Sequence, residues 1–121
     1  MTAVHPIPTD AENVAAMTPS AYVTADTLRA GDPQEHEMVH LSSGDEKFTV
    51  GSWRAEPYRE FIESYPGDEY TRVLEGSVTL TADDGVAHTF GPGVAFTLAR
   101  GWRGEYRVDV PLLKQFAIYV P

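Results

Sequence analysis

The sequence predicts an all-β fold, a sandwich or barrel of short antiparallel strands, on three observations. From about residue 36 onward Val, Thr, Phe, Tyr and Trp dominate. Eight of the ten glycines fall between Gly51 and Gly104, so turn signals recur at short intervals. No long stretch reads as a helix. Many short strands with regular turn signals suit a sandwich or a closed barrel.

The elements follow in order. Residues 1–35 are poor in large apolar side chains and read as an arm with short turns; residues 36–121 read as the barrel. Pro6 and Pro8 keep the start of the arm extended. Thr9 or Asp10 is placed to cap a helical turn over 11–17, ended before Pro19, and Ser20 or Thr24 one over 25–28. Gly31, Asp32 and Pro33 make a break. Strands are expected at 36–41, 48–55, 59–65, 70–74, 77–82, 87–90, 94–98, 102–108 and 112–120. Residues 77–81 alternate polar and apolar, and Asp83-Asp84-Gly85 then closes a hairpin. Gly91-Pro92-Gly93 marks another turn.

Composition excludes several classes of function. The 121 residues carry 9 Lys and Arg against 18 Asp and Glu, a formal charge of −9. That balance argues against nucleic acid and against an anionic membrane surface. Without cysteine there is no disulfide scaffold, thiolate metal site or cysteine nucleophile. No apolar run reaches spanning length and the N-terminus lacks a signal-peptide pattern, so a cytoplasmic protein is expected. The negative charge is uneven: residues 1–46 hold eight acids and one base, residues 47–121 ten acids and eight bases.

Residues 50–120 resemble the cupin superfamily. Glu69, six residues and Gly76 stand as in the first cupin block, with Val73-Leu74-Glu75-Gly76 at its hairpin. Gly93 and Gly101 keep the spacing of the second block, whose usual Pro is Ala99 here and whose usual His is Gly104. Within the superfamily, the chain is similar to the small DUF861-type domains of unknown function related to ethanolamine-utilisation and ureidoglycine-aminohydrolase proteins. That resemblance rests on Gly51-x-Trp53, Asp68-Glu69-Tyr70, Gly91-Pro92-Gly93, Gly101-x-x-Gly104-x-Tyr106 and Lys114. It implies a jelly-roll barrel of two antiparallel sheets, and a homodimer in which the acidic arm is the natural segment to exchange.

The resemblance also implies where a metal would sit. The four ligand positions of metal-binding cupins fall on Glu63, Tyr65, Glu69 and Gly104, with Phe61, Glu63 and Tyr65 on one strand face. No histidine remains in that set. No cofactor is therefore expected, and Glu63, Tyr65 and Glu69 would at most hold a hard divalent cation such as Mg²⁺ or Ca²⁺ weakly.

The residue types leave two readings open for the interior. If Glu63 and Glu69 both face it, the two carboxylates repel and one becomes a general acid or base. If Lys114 reaches Glu69, the pair is structural. In the catalytic reading Glu69 is base or ligand, Tyr65 the proton donor and Lys114 the anchor for a substrate carboxylate. Glu63, Trp53, Tyr106, Trp102 and Arg103 are then ligand contacts, with Arg100 and Arg103 at the barrel mouth. The aromatic residues equally suit simple core filling. His36 and His40 share a strand face but lack a third ligand, and read as surface histidines. Three functions stay in play: a small-molecule enzyme of aminohydrolase, isomerase or lyase type in nitrogen or carbon catabolism, a binding or sensing module with the same pocket, and a packed interaction protein.

Overall fold

The computed structural model describes residues 3–10 and 14–121. These form nine strands: β1 (Thr18–Pro19), β2 (Leu28–Gly31), β3 (His36–Ser42), β4 (Phe48–Ala55), β5 (Tyr58–Ile62), β6 (Asp68–Ala82), β7 (Ala87–Phe90), β8 (Ala95–Leu98) and β9 (Gly104–Tyr119). All pairs are antiparallel, in the order β1-β3-β4-β9-β5-β2, with β6 joined to β9 and carrying β7 and β8. Among the described residues no helix is long and apolar enough to cross a membrane.

Two long strands organise this sheet. The segments 70–74 and 77–82 were expected as separate strands, as were 102–108 and 112–120. The structure instead runs each pair through as one strand, β6 and β9. Gly76 and Pro111 act as bends within strands, where turns were expected. Register shifts between Val73 and Val78 accommodate the bend. Pro111 falls where β9 changes its second neighbour, from β4, which ends its pairing at Leu112, to β5, which begins at Val108. A residue without an N–H costs nothing at such a gap. Gly76 has φ +79°, and a Cβ there would stand 2.0 Å from the Pro111 carbonyl oxygen. The bend thus lets one continuous sheet curl into a barrel.

Alternation along the strands decides what faces inward. Thr49, Gly51, Trp53 and Ala55 of β4 lie beside Ile118, Phe116, Lys114 and Leu112 of β9, and Phe116 and Lys114 lie beside Thr71 and Val73 of β6. Ala55, Val73, Val78, Val108 and Leu112 pack into the core. Toward the Thr49 and Ile118 end of the same strands the interior opens into a cavity.

The arm wraps the barrel. Pro8 accepts a bond from Gln115 at 3.0 Å, and Val14 and Met17 pack on Leu113 with Met38 and Leu74. β1 then pairs with β3, and β2 with β5, so the segment between them crosses from one side of the sheet to the other. Of the turn expected at 11–17, residues 11–13 lie outside the described residues; 14–16 form a turn closed by Met17 N–H on the Val14 carbonyl at 3.0 Å. The turn expected at 25–28 is present, with Leu28 N–H on the Thr24 carbonyl at 2.9 Å. The Thr27 hydroxyl accepts the Thr24 N–H and donates to the Thr24 carbonyl, and the Thr24 hydroxyl meets that of Thr27 at 3.4 Å.

Two glycines separate steric from conformational cost. Gly85 shares a positive φ of +85° but has nothing within 4 Å of a built Cβ. Chemical denaturation should show Gly76→Ala losing roughly 2–4 kcal/mol, and Gly85→Ala only about 1 kcal/mol.

Candidate functional site

The cavity measures about 350 Å³. Four strands supply its polar and aromatic walls, β4 through Trp53, β5 through Tyr58 and Glu60, β6 through Glu69, and β9 through Tyr106, Lys114 and Phe116. The arm contributes Tyr22, Val23 and Thr27. Inward alternation on each strand places these side chains together, so the site is assembled by register and not by any one loop.

Glu69 and Lys114 form its centre. Their side chains are 5% and 7% exposed, and Lys114 Nζ donates to Glu69 Oε2 at 3.1 Å. The Thr71 hydroxyl donates to the same oxygen at 2.5 Å, and the Tyr65 hydroxyl to Oε1 at 2.8 Å. Lys114 also donates to the Tyr106 hydroxyl at 3.3 Å and lies over the Trp53 ring, 5.1 Å from its centroid. Burial is the largest single influence on Lys114 and works to lower its pKa, but Glu69, Tyr106 and Tyr65 together outweigh it, and the ammonium is held well above the usual lysine value. Burial and the neighbouring Glu69 push the Tyr65 phenol well up, with Lys114 opposing. Tyr65 lies beyond the end of β5 and is fixed by the second-block loop: its N–H donates to the Trp102 carbonyl at 2.9 Å, and Gly101 N–H to its own carbonyl at 2.8 Å.

A second carboxylate stands on β5. Glu60 is 7% exposed, lines the cavity and accepts the Tyr58 hydroxyl at 2.7 Å. Burial raises its pKa, against the bonds from Tyr58 and Thr27. Glu35, also buried, accepts Ser20 Oγ at 2.7 Å, Val23 N–H at 2.8 Å, Tyr22 N–H at 3.0 Å and Trp53 Nε1 at 3.1 Å. Burial opposes ionisation of Glu35, yet these four bonds win and hold its carboxyl below the ordinary range. They tie the crossing segment of the arm to a ring of the cavity wall.

Five of the residues singled out from sequence therefore meet: Glu69, Tyr65, Lys114, Trp53 and Tyr106. Three do not. Glu63 is exposed and off the cavity, because β5 stops at Ile62 and its inward residues are Tyr58, Glu60 and Ile62. The expected face of Phe61, Glu63 and Tyr65 does not form. Trp102 lines a separate hollow with Leu80 and Phe96. Arg103 pairs with Asp83 at 2.8 Å and covers the Phe61 ring, away from the cavity. Arg100 is exposed and likewise outside it. His40 is half-buried, not a surface residue: its Nε2 lies 2.8 Å from Oγ of the fully buried Ser52, and burial lowers its pKa.

The residues do not fit the metal that the cupin pattern implies. Of its four positions Glu63 points away, and Glu69 already takes three donors, one of them an ammonium where a cation would stand. At Gly104 a Cβ would lie 2.3 Å from the Thr81 carbonyl, leaving no room for an imidazole. Among the described residues no three His, Asp or Glu side chains converge on a metal-sized point.

Sequence reasoning missed Glu60, Tyr58, Phe116 and Glu35. For β5 the signal was present: Tyr58-x-Glu60-x-Ile62 is an apolar-rich alternation ending before the Ser64-Tyr65-Pro66-Gly67 break. Starting that strand at Arg59 and running it to Tyr65 put the wrong parity inward.

The sequence matches the EutQ-like cupin domain over residues 42–116. The chain belongs to that family. Solved cupins share its fold. A protein of unknown function of the DUF861 family from Pseudomonas syringae aligns with TM-score 0.79 at 20% identity, over 84% of this chain and 43% of the other. This chain thus spans less than half the length of that neighbour. The Clostridium difficile EutQ protein aligns with TM-score 0.63 at 16% identity, over 88% of this chain and 83% of the other. Ectoine synthase from P. lautus aligns with TM-score 0.62 at 14% identity, over 82% and 72%. No curated protein matches the chain.

Two measurements test this cluster. Lys114→Met strands a buried carboxylate and should cost about 3–5 kcal/mol in urea denaturation, while Lys114→Met with Glu69→Gln costs less than the two single changes added. Glu35 has a lowered folded pKa, so its stabilisation is present above the unfolded value and lost as pH falls through the folded one. Between about pH 5 and 3, the wild type should therefore lose more stability than Glu35→Gln.

Proposed function

We propose that this protein takes a small polar organic molecule into the barrel cavity, and that the Tyr65–Glu69–Lys114 cluster is the polar end the molecule meets. The observation that carries this reading is the cavity itself: about 350 Å³, walled by aromatic rings, with a few buried polar groups converging on it. Small-molecule sites are built this way. An interaction scaffold would gain more from apolar packing than from an ion pair facing an open space, because both charges are desolvated.

Within this reading the groups have separate tasks. Tyr65, whose hydroxyl donates to Glu69, is the proton relay: a proton leaving a bound molecule reaches the Tyr65 oxygen as the hydroxyl proton passes to the Glu69 carboxylate, which is the base. Lys114 pairs with Glu69 and orients it. Two of the three Lys114 N–H donors are on Glu69 and Tyr106, so the role expected from sequence, anchoring a substrate carboxylate, has one donor left and an already paired charge behind it. Neighbours named for ethanolamine utilisation and ectoine synthesis support chemistry on small carbon and nitrogen metabolites, of aminohydrolase, isomerase or lyase type. A non-catalytic binding module is the second reading. It is favoured by the saturation of Glu69, which already accepts three hydrogen bonds.

A thermal-shift screen of polar metabolites should yield compounds that raise the melting temperature by several degrees. Turnover of such a compound that falls at least about a hundredfold in Tyr65→Phe, with affinity kept, assigns catalysis. Affinity without turnover assigns the binding module. A screen that finds no stabilising compound overturns both.

A further inference from the structure

The charges inside the cavity do not cancel. Among the described residues Lys114 is its one lining cation, and it is already paired with Glu69 at 3.1 Å. Glu60 lines the same space at 7% exposure and, among the described residues, enters no ion pair. Its partners are neutral hydroxyls, Tyr58 at 2.7 Å and Thr27. Hydroxyl donors satisfy oxygen lone pairs but leave the charge in place. Glu35, held only by neutral donors, adds a second negative charge behind Trp53.

We propose that the ligand of this cavity carries a positive charge, an ammonium or protonated amine that Glu60 receives between the rings of Tyr58, Trp53 and Tyr106. This rests on reading the cavity as a small-molecule site. A ligand carboxylate would meet Glu60, with Glu35 behind the wall and the ammonium of Lys114 already paired. A neutral ligand leaves Lys114 acting on Glu60 only from beyond ion-pair distance, with burial still holding its carboxyl pKa up. An ammonium offsets its desolvation with a charge-assisted hydrogen bond. The walls suit the same charge, because aromatic faces attract cations. The Tyr58 ring meets Trp53 edge-on at 6.3 Å between centroids and stacks on Tyr106 at 6.5 Å. An amine bound at Glu60 lies in the same cavity as Tyr65 and Glu69, so its far end faces the proton-transfer groups.

The test is calorimetric titration of the full chain with three probes of one shape, butylammonium, butanol and butyrate, up to millimolar concentration at neutral pH. Butylammonium should bind at least about tenfold tighter than either of the others. Glu60→Gln should abolish that preference and leave butanol within about twofold of wild type, while Tyr58→Phe, which keeps the carboxylate, should retain it. Equal or tighter binding of butanol or butyrate overturns the inference and leaves the cavity reading standing, as does a preference that survives in Glu60→Gln. If Glu60→Gln does not fold, the wild-type series alone decides. Failure of all three probes to bind overturns the inference and, because butanol tests the space without charge, the cavity reading with it.

Discussion

The interior of this barrel is organised by one ammonium. Lys114 projects from β9 toward Glu69 on β6, and the two strands are already neighbours along their whole length. With both side chains out of water, neither charge tolerates the loss of the other. Their mutual attraction then dictates the surroundings. Thr71 and Tyr65 take two further acceptor positions of Glu69, Tyr106 takes a second proton of Lys114, and Trp53 and Phe116 present ring faces to it. A single pair therefore fixes the rotamers of side chains from three strands and a loop. It also sets an ammonium where a metal would stand, so at this position the cupin framework carries an ion pair.

The arm extends this logic to the cavity wall. Its acids were conspicuous in the sequence as an uneven charge, and a solvated tail would have been a natural outcome. Glu35 instead turns inward, and two backbone N–H groups, a serine and an indole converge on it. One buried carboxylate thereby gathers a segment without regular structure and fastens it to Trp53. The arm also pairs with β3 and β5, which shortens the open edges of the sheet. Removing the arm would expose the cavity as well as the edges, so closure of the site and protection of the fold are one structural act.

Polar groups on the two sides of the cavity differ in kind. The Glu69 side is electrically closed, an ion pair with its hydrogen bonds complete. The Glu60 side is not: its oxygens are bonded but its charge is unanswered. In the function we propose, such a pocket separates recognition from chemistry, with charge complementarity on β5 and proton transfer at Tyr65.

Much of this was legible in the chain. Strand content, the turn at Gly85 and the family pattern around Glu69, Gly76, Gly93 and Gly101 all follow from local residue order or from spacing within one block, and the pairing of Lys114 with Glu69 was one of two readings open for the interior. The merging of strands at Gly76 and Pro111 was not legible, because a glycine and a proline read as turn punctuation until the bend shows them packed against each other. Nor was the inward role of Glu60 over Glu63: strand parity flips with a one-residue change of boundary, and only pairing with β9 sets the boundary of β5. The destination of Glu35 was equally hidden, since its partners lie 12 to 18 residues away. By itself the sequence determined an all-β barrel of cupin type, with the Lys–Glu pair as one of two readings of its interior. Tertiary structure decided which carboxylates face the cavity, because register is a long-range property that no short stretch of residues contains.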